Sequence, residues 1–229
     1  MIDVWANHWP RRFFDAYPPM QALYERVGIE DRSRLDDEVL TAEMDQAGIV
    51  RAIVSATAVE GWPDTNQAVF ERCRADPDRL APCASVDPRR GMAAVRELRR
   101  HAEAGAVALK VLPFLYDLPP NDAAYYPLYA ACVDLGLPVL ILTGHTAVLR
   151  RNEVGRPGHL DDVALHFDEL TIVAGHAGHP WTDELLGLAW KHECLYLETS
   201  GHRPRHFPPA LVRYLDGHGR NKVLFGSGY

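Results

Sequence analysis

Seven polar residues lie within, at the end of or just after apolar runs of the sequence, and their types suit acid–base chemistry and anion binding. They are Asn7, His8, Lys110, His145, His176, Glu198 and His202. Imidazole gains and loses a proton near neutral pH, and lysine and histidine can hold anionic groups. A single histidine of this kind more often has a structural or surface role. Four of them at the ends of four runs predict one shared polar site.

The elements that would position these residues are eight short apolar runs separated by helical patterns. The runs are Ile2–Trp5, Val50–Ser55, Leu80–Val86, Val107–Leu112, Val139–Leu142, Thr171–Gly175, Leu195–Glu198 and Lys222–Phe225. Between two of them, Leu160, Val163, Ala164 and Phe167 recur at helical spacing. Strand and helix alternating over eight repeats predict an α/β protein with a (β/α)8 TIM barrel, in which reacting groups lie at the C-terminal ends of the strands. An open doubly wound sheet is the alternative, although it usually has fewer strands.

The predicted barrel is a single domain, residues 1–229, with an N-terminal insertion at about 11–35. The last run leads into Phe225–Tyr229 without a final covering helix. Three explanations of this gap are open. The chain is shortened relative to its relatives, the N-terminal insertion covers the last strand, or another subunit covers it. Uncovered apolar surface favours association, so we expect a homo-oligomer.

Composition narrows the class of protein. The 229 residues are 47% hydrophobic and carry a net charge of −7, which argues against a general nucleic-acid binder. No apolar stretch is long enough to predict a membrane span, and no signal peptide is visible, so we expect a cytoplasmic protein. The expected partner is a small-molecule substrate. No phosphate-binding glycine motif occurs, and Ser200 lacks the Gly-x-Ser-x-Gly context of a serine hydrolase.

Several segments, in order along nearly the whole chain, resemble the amidohydrolase-related, decarboxylase-like branch of the amidohydrolase superfamily. The chain opens with Ile2-Asp3, and the further matching segments are Ala42–Gly48, Leu109–Pro113, Tyr126–Tyr129, Leu137–Ile141, Gly175–Gly178 and Val223–Ser227. Each is weak alone, but their order and spacing carry the resemblance. It implies a barrel hydrolase or decarboxylase that acts on a small carboxylated or cyclic metabolite.

The resemblance also implies a metal site, and the sequence departs from it. The family binds a divalent metal through the two histidines of an opening Ile-Asp-x-His-x-His segment, one histidine after the fifth strand and an aspartate after the eighth. Those four positions hold Trp5, Asn7, Leu142 and Gly228. Indole and alkyl groups cannot bind zinc, and a neutral amide is a poor ligand. His145 lies three residues beyond its family position, a displacement of roughly 10 Å along an extended chain. His8 faces away from Trp5 and Asn7 by strand alternation.

The remaining family residue is His176, which resembles the histidine that positions or deprotonates the attacking water. We therefore expect His176 as the catalytic acid–base residue, no metal ligand and no cofactor, with zinc or another divalent metal disfavoured. The expected substrate-binding residues are Trp5, Asn7, Lys110, His145, Glu198 and His202. The alternative is a catalytically inactive binding or regulatory protein on the same barrel.

Overall fold

Eight parallel strands pair in chain order into one sheet that curls into a nearly closed barrel. The computed structural model describes residues 1–7, 9–16, 18–28, 37–58 and 64–228. The strands are β1 (Ile2–Asn7), β2 (Arg51–Ser55), β3 (Leu80–Ser85), β4 (Ala108–Val111), β5 (Val139–Leu142), β6 (Ile172–Gly175), β7 (Leu195–Glu198) and β8 (Val223–Leu224). The predicted TIM barrel is confirmed, and each strand lies in or overlaps the apolar run that predicted it.

Helices connect and cover the strands. They are α1 (Arg11–Ala16), α2 (Pro18–Val27), α3 (Asp37–Ala47), α4 (Asn66–Ala75), α5 (Met92–Glu103), α6 (Pro113–Tyr116), α7 (Tyr126–Leu135), α8 (His159–His166), α9 (Thr182–Lys191) and α10 (Pro209–Asp216). The buried side chains of α8 are Leu160, Val163 and Ala164, three of the four residues whose spacing predicted it. None of the described helices is long and apolar enough to cross a membrane.

A buried carboxylate helps close the barrel between β8 and β1. Asp3 is 2% exposed, and its Oδ1 accepts from the backbone N–H of Trp5 and of Ser227, both at 3.0 Å. Burial raises the pKa of this carboxyl. Backbone bonds from Val4 to Phe225 (2.9 Å) and from Gly228 to Trp5 (2.8 Å) complete the seam. Residues after β8 thus pair with β1, although β8 itself has two residues.

The N-terminal helices lie near the C-terminal ends of the strands. Phe14 is fully buried against Trp9, Leu23 and Tyr24 in a small apolar cluster. Arg26 on α2 donates to the carbonyl of Ala147 in the segment after β5, at 2.7 Å. These helices occupy most of the predicted insertion, whose residues 29–35 lie outside the described part of the chain. They contribute to the mouth of the barrel.

Candidate active site

A cavity of about 270 Å³ opens at the C-terminal ends of the strands. Its polar wall includes Asn7 on β1, Lys110 on β4, and His145, His176 and His202 after β5, β6 and β7. Its apolar wall includes Leu112, Phe114, Leu115 and Leu142, with Trp9 and Leu23 from the N-terminal segment. None of the described residues that line it is acidic. The cavity therefore favours a small anionic ligand with an apolar part.

Lys110 is the buried cation of this cavity. The residue is 4% exposed, and its Nζ donates to Asn7 Oδ1 at 2.8 Å and to Ser55 Oγ at 2.9 Å. Asn7 is fixed in turn, because its Nδ2 donates to the Gly228 carbonyl at 3.2 Å. Burial lowers the pKa of the Lys110 amine to about 8. No salt bridge of Lys110 occurs in the described part of the chain, so neutral dipoles hold this amine.

His176 is held in a conformation that few residues adopt. Its φ is +58° and that of Ala177 is +48°, so two successive non-glycine residues are left-handed, which costs free energy for each. The backbone N–H of His176 donates to Glu198 Oε1 at 2.7 Å. This bond to a fully buried carboxylate offsets the strain and turns the imidazole toward the cavity.

The imidazole of His176 is connected to the same carboxylate through a serine. His176 Nδ1 lies 2.7 Å from Ser200 Oγ, and Ser200 Oγ donates to Glu198 Oε1 at 2.7 Å. Ser200 N also donates to Glu198 Oε2, at 2.6 Å. Since the serine proton is directed to the carboxylate, its oxygen accepts from Nδ1–H. This assignment leaves Nε2 of His176 with a free electron pair, as a general base requires.

Glycines allow the close packing around His176. A Cβ on Gly201, whose φ is +78°, would lie 3.0 Å from the His176 ring. A Cβ on Gly175 would lie 3.1 Å from Glu198 Oε1 and 3.2 Å from the Trp5 ring. Trp5 is 1% exposed, and its ring centroid is 5.9 Å from that of His176. The His176 imidazole therefore packs between the Trp5 ring and the backbone of Gly201.

Three histidine rings stand together at the cavity mouth. The ring centroids of His179 and His202 are 4.8 Å apart, and those of His145 and His202 are 5.5 Å apart. Burial, followed by the neighbouring histidines, lowers the pKa of His202 to about 4. His202 is consequently neutral at pH 7, and a bound anion would favour its protonation.

The structure brings together five of the seven residues assigned to the site from sequence. Asn7, Lys110, His145, His176 and His202 line the cavity. The other two residues, Trp5 and Glu198, were expected to contact the substrate. In the structure they lie behind the cavity wall, with 1% and 0% of their surface exposed. Both support His176 instead. His8 lies outside the described residues. Sequence reasoning missed Ser55, His179 and Gly201, and it considered Ser200 only as a nucleophile.

The residues at the family's ligand positions do not fit a metal ion. Leu142 lines the cavity with an alkyl group, and Gly228 offers only backbone atoms, whose N–H and C=O bond to Trp5 and Asn7. The amide oxygen of Asn7 accepts from Lys110. Among the described residues, no three His, Cys, Asp or Glu side chains are placed to hold a metal.

Comparisons with known proteins agree with this architecture. The model of the amidohydrolase family matches residues 2–229. No curated protein matches the chain. Similar solved structures include an uncharacterized TIM-barrel protein from Bordetella bronchiseptica, at 24% identity and a TM-score of 0.81, covering 100% of this chain and 86% of that one.

Two further solved structures carry a named activity. One is 5-carboxyvanillate decarboxylase from Novosphingobium aromaticivorans, complexed with manganese and 4-hydroxy-3-methoxy-5-nitrobenzoic acid, at 18% identity and a TM-score of 0.74, covering 100% of this chain and 85% of that one. The other is 4-oxalomesaconate hydratase from Rhodopseudomonas palustris, at 20% identity and a TM-score of 0.63, covering 100% and 81%. At these identities the likeness shows the fold.

Proposed function

Because the chain belongs to the amidohydrolase family, we propose that it is a hydrolase or decarboxylase of a small carboxylated or cyclic acid, working without a tightly bound metal. Membership of this family supports an enzyme. The substrate class is inferred from the cavity wall. Lys110 and three histidines line it, and none of the described lining residues is acidic. Similar structures include enzymes named for carboxylated substrates.

His176 is the proposed acid–base residue. Its Nε2 would take a proton from water or substrate, while the positive charge that develops is stabilised by Glu198 through Ser200. The carboxylate Oε1 is 3.6 Å from His176 Nδ1. General acid–base catalysis by one positioned side chain contributes about 10²- to 10⁴-fold in rate.

Lys110, His145 and His202 are the proposed anion-binding groups, and Asn7 a hydrogen-bonding group for a substrate oxygen. The apolar side chains opposite them would contact the carbon skeleton. The proposal without metal rests on Trp5, Asn7, Leu142 and Gly228, whose side chains offer a metal at most one amide oxygen.

The test is turnover of a panel of carboxylated aromatic acids, cyclic lactone acids and β-keto acids, followed by CO2 release and by product mass. His176→Gln should lower kcat by about 10²-fold or more. The matched control is His218→Gln, at an exposed histidine beside Tyr214, and it should retain wild-type turnover.

Metal content is measured on the same samples. Stoichiometric zinc or manganese, together with loss of turnover on chelation, would show that the metal-free part is wrong. Ligand binding without turnover in either wild type or His176→Gln would instead favour a binding protein on this barrel.

A further inference from the structure

The use of lysine in this chain singles out Lys110. Of 24 basic residues, three are lysines, at positions 110, 191 and 222. Lys191 pairs with Asp161 at 2.6 Å on the surface. Lys222 donates to three backbone carbonyls, the nearest at 2.6 Å. Both therefore have charged or strongly polar partners, whereas Lys110 faces two neutral side chains inside the cavity.

The hydrogen bonds of Lys110 leave one position of its nitrogen for a ligand. A neutral amine has two N–H groups and one lone pair. Asn7 Oδ1 and Ser55 Oγ accept two N–H groups, at 2.8 and 2.9 Å. The lone pair of the neutral amine thus takes the remaining tetrahedral position, and Lys110 is a residue of the cavity wall. The two acceptors fix the direction of attack.

The lowered pKa of Lys110 also favours a nucleophile. Burial lowers the pKa of Lys110 from its ordinary 10.5 to about 8, so roughly a tenth of the protein carries the neutral amine at pH 7. Lysines that form imines with carbonyl substrates are activated in this way, by desolvation.

We propose that Lys110 Nζ is a nucleophile that forms an imine with the ketone of a small β-keto acid and accepts the electron pair released as CO2 leaves. This inference rests on the proposed decarboxylase function and names its substrate class. In it Lys110 bonds to the ketone carbon, and His145 and His202 are the groups that hold the carboxylate. It also gives the barrel an electron sink that does not depend on the family's ligand positions.

Each step balances in atoms and charge. The Lys110 lone pair attacks the carbonyl carbon, and His176 transfers one proton from the nitrogen to the oxygen, which gives a neutral carbinolamine. His176 then passes a second proton, taken from solvent, to the hydroxyl, which leaves as water and gives a protonated imine. The bond between the α-carbon and the carboxylate then breaks. Its electrons form the enamine, and CO2 departs. Protonation of the enamine carbon and addition of one water release the ketone and restore the amine.

His176 is placed to serve these proton transfers. The centroid of its ring lies 5.9 Å from that of the Trp5 indole, and Lys110 Nζ lies 5.5 Å from the centroid of the same indole. Both residues line the cavity. Nucleophile and base therefore both lie beside Trp5 on the wall of one cavity.

Borohydride trapping tests the proposal on the whole protein. Wild type is incubated with acetoacetate, reduced with sodium borohydride, digested and mapped by mass spectrometry. Reduced adducts of acetoacetate and of acetone are expected on Lys110, at least tenfold above Lys191, Lys222 and the N-terminal amine. Lys110→Met should abolish this adduct, and Lys191→Met should leave it unchanged. A second measurement needs no variant, because trapping on Lys110 should rise from pH 6 to 9 with its midpoint near pH 8.

The outcomes separate this inference from the proposed function. Labelling spread over all lysines, or trapping on Lys110 that is no greater at pH 9 than at pH 6, overturns the imine. If Lys110→Met decarboxylates a substrate at the wild-type rate, the imine is overturned while the decarboxylase function stands. If Lys110 is trapped but no acid is turned over, the nucleophile is supported and the decarboxylase function is not.

Discussion

Replacing Lys110 by methionine should stabilise the protein at neutral pH. Methionine has a similar volume without the charge that burial disfavours. In the variant, Asn7 Oδ1 keeps a donor because Ser55 Oγ lies 2.9 Å away. The loss of two hydrogen bonds to the amine is therefore partly offset. We expect the free energy of unfolding of Lys110→Met to exceed that of wild type at pH 7.

The magnitude follows from the pKa of the amine. Its fall from 10.5 to about 8 on folding costs about 3 kcal/mol at pH 7, at about 1.4 kcal/mol for each pH unit. After the loss of the two hydrogen bonds is subtracted, the free energy of unfolding of Lys110→Met should exceed that of wild type by about 1 to 3 kcal/mol. Between pH 8 and 10.5 the unfolded chain holds a proton that the folded protein has released, so wild type gains stability as pH rises. The advantage of the variant should shrink by about 2 to 3 kcal/mol from pH 7 to pH 10.

The assay is urea unfolding of both proteins at pH 7, 8, 9 and 10, followed by far-ultraviolet circular dichroism. The difference between the two proteins removes the contributions of tyrosines and cysteines, which titrate in both. A difference that stays constant from pH 7 to pH 10 would refute the reasoning, because it would mean that the folded protein does not lower the pKa of Lys110.

Three further predictions concern the residues around the base and the mouth. Ser200→Ala should lower kcat about tenfold with little change in KM, since it removes the oxygen that holds Nδ1–H of His176; an unchanged kcat in steady-state kinetics would contradict the proposed relay. Gly226→Ala should lower the free energy of unfolding by at least about 2 kcal/mol, because the added methyl group would collide with the buried Glu198 carboxylate. The control is Gly187→Ala on α9, where the space around an added Cβ is open and the helix should gain about 0.5 to 1 kcal/mol. Thermal unfolding of both variants makes the comparison. A carboxylate ligand should raise the pKa of His202 from about 4, so its affinity should increase from pH 7 to pH 5 with proton uptake, and calorimetry showing no buffer dependence would contradict this.

The barrel was predictable because buried parallel strands are apolar on both faces. Runs such as Val139–Leu142 and Leu195–Glu198 coincide with β5 and β7, and the residues that follow them are brought to one edge by the topology. Periodicity in turn predicted α8. The seam was not predictable, because Asp3 gives no sign in sequence that its side chain accepts from Ser227 across the barrel.

The sequence predicted which residues gather at the site, but not which of them line the cavity and which are buried behind its wall. Lys110 and His145 lie on the cavity, as a position at a strand end implies. Glu198 stands at a similar position, yet its carboxylate turns to backbone N–H groups of the turns after β6 and β7. Ser200 carried no motif, since a serine between a hydrogen-bonded carboxylate and an imidazole is recognisable only by distance.

The seam between β8 and β1 makes the base sensitive to local opening of the fold. Gly226 follows β8 and passes between Trp5 on β1 and Glu198 on β7, where its own added Cβ would meet both. In the described part of the chain, β8 pairs with β7 at two register positions, and two backbone bonds join the residues after β8 to β1. The amides of this segment should therefore exchange with solvent through openings smaller than global unfolding. Each such opening would release the indole and the carboxylate that orient His176. Heat should therefore inactivate the enzyme some degrees before the rest of the barrel melts.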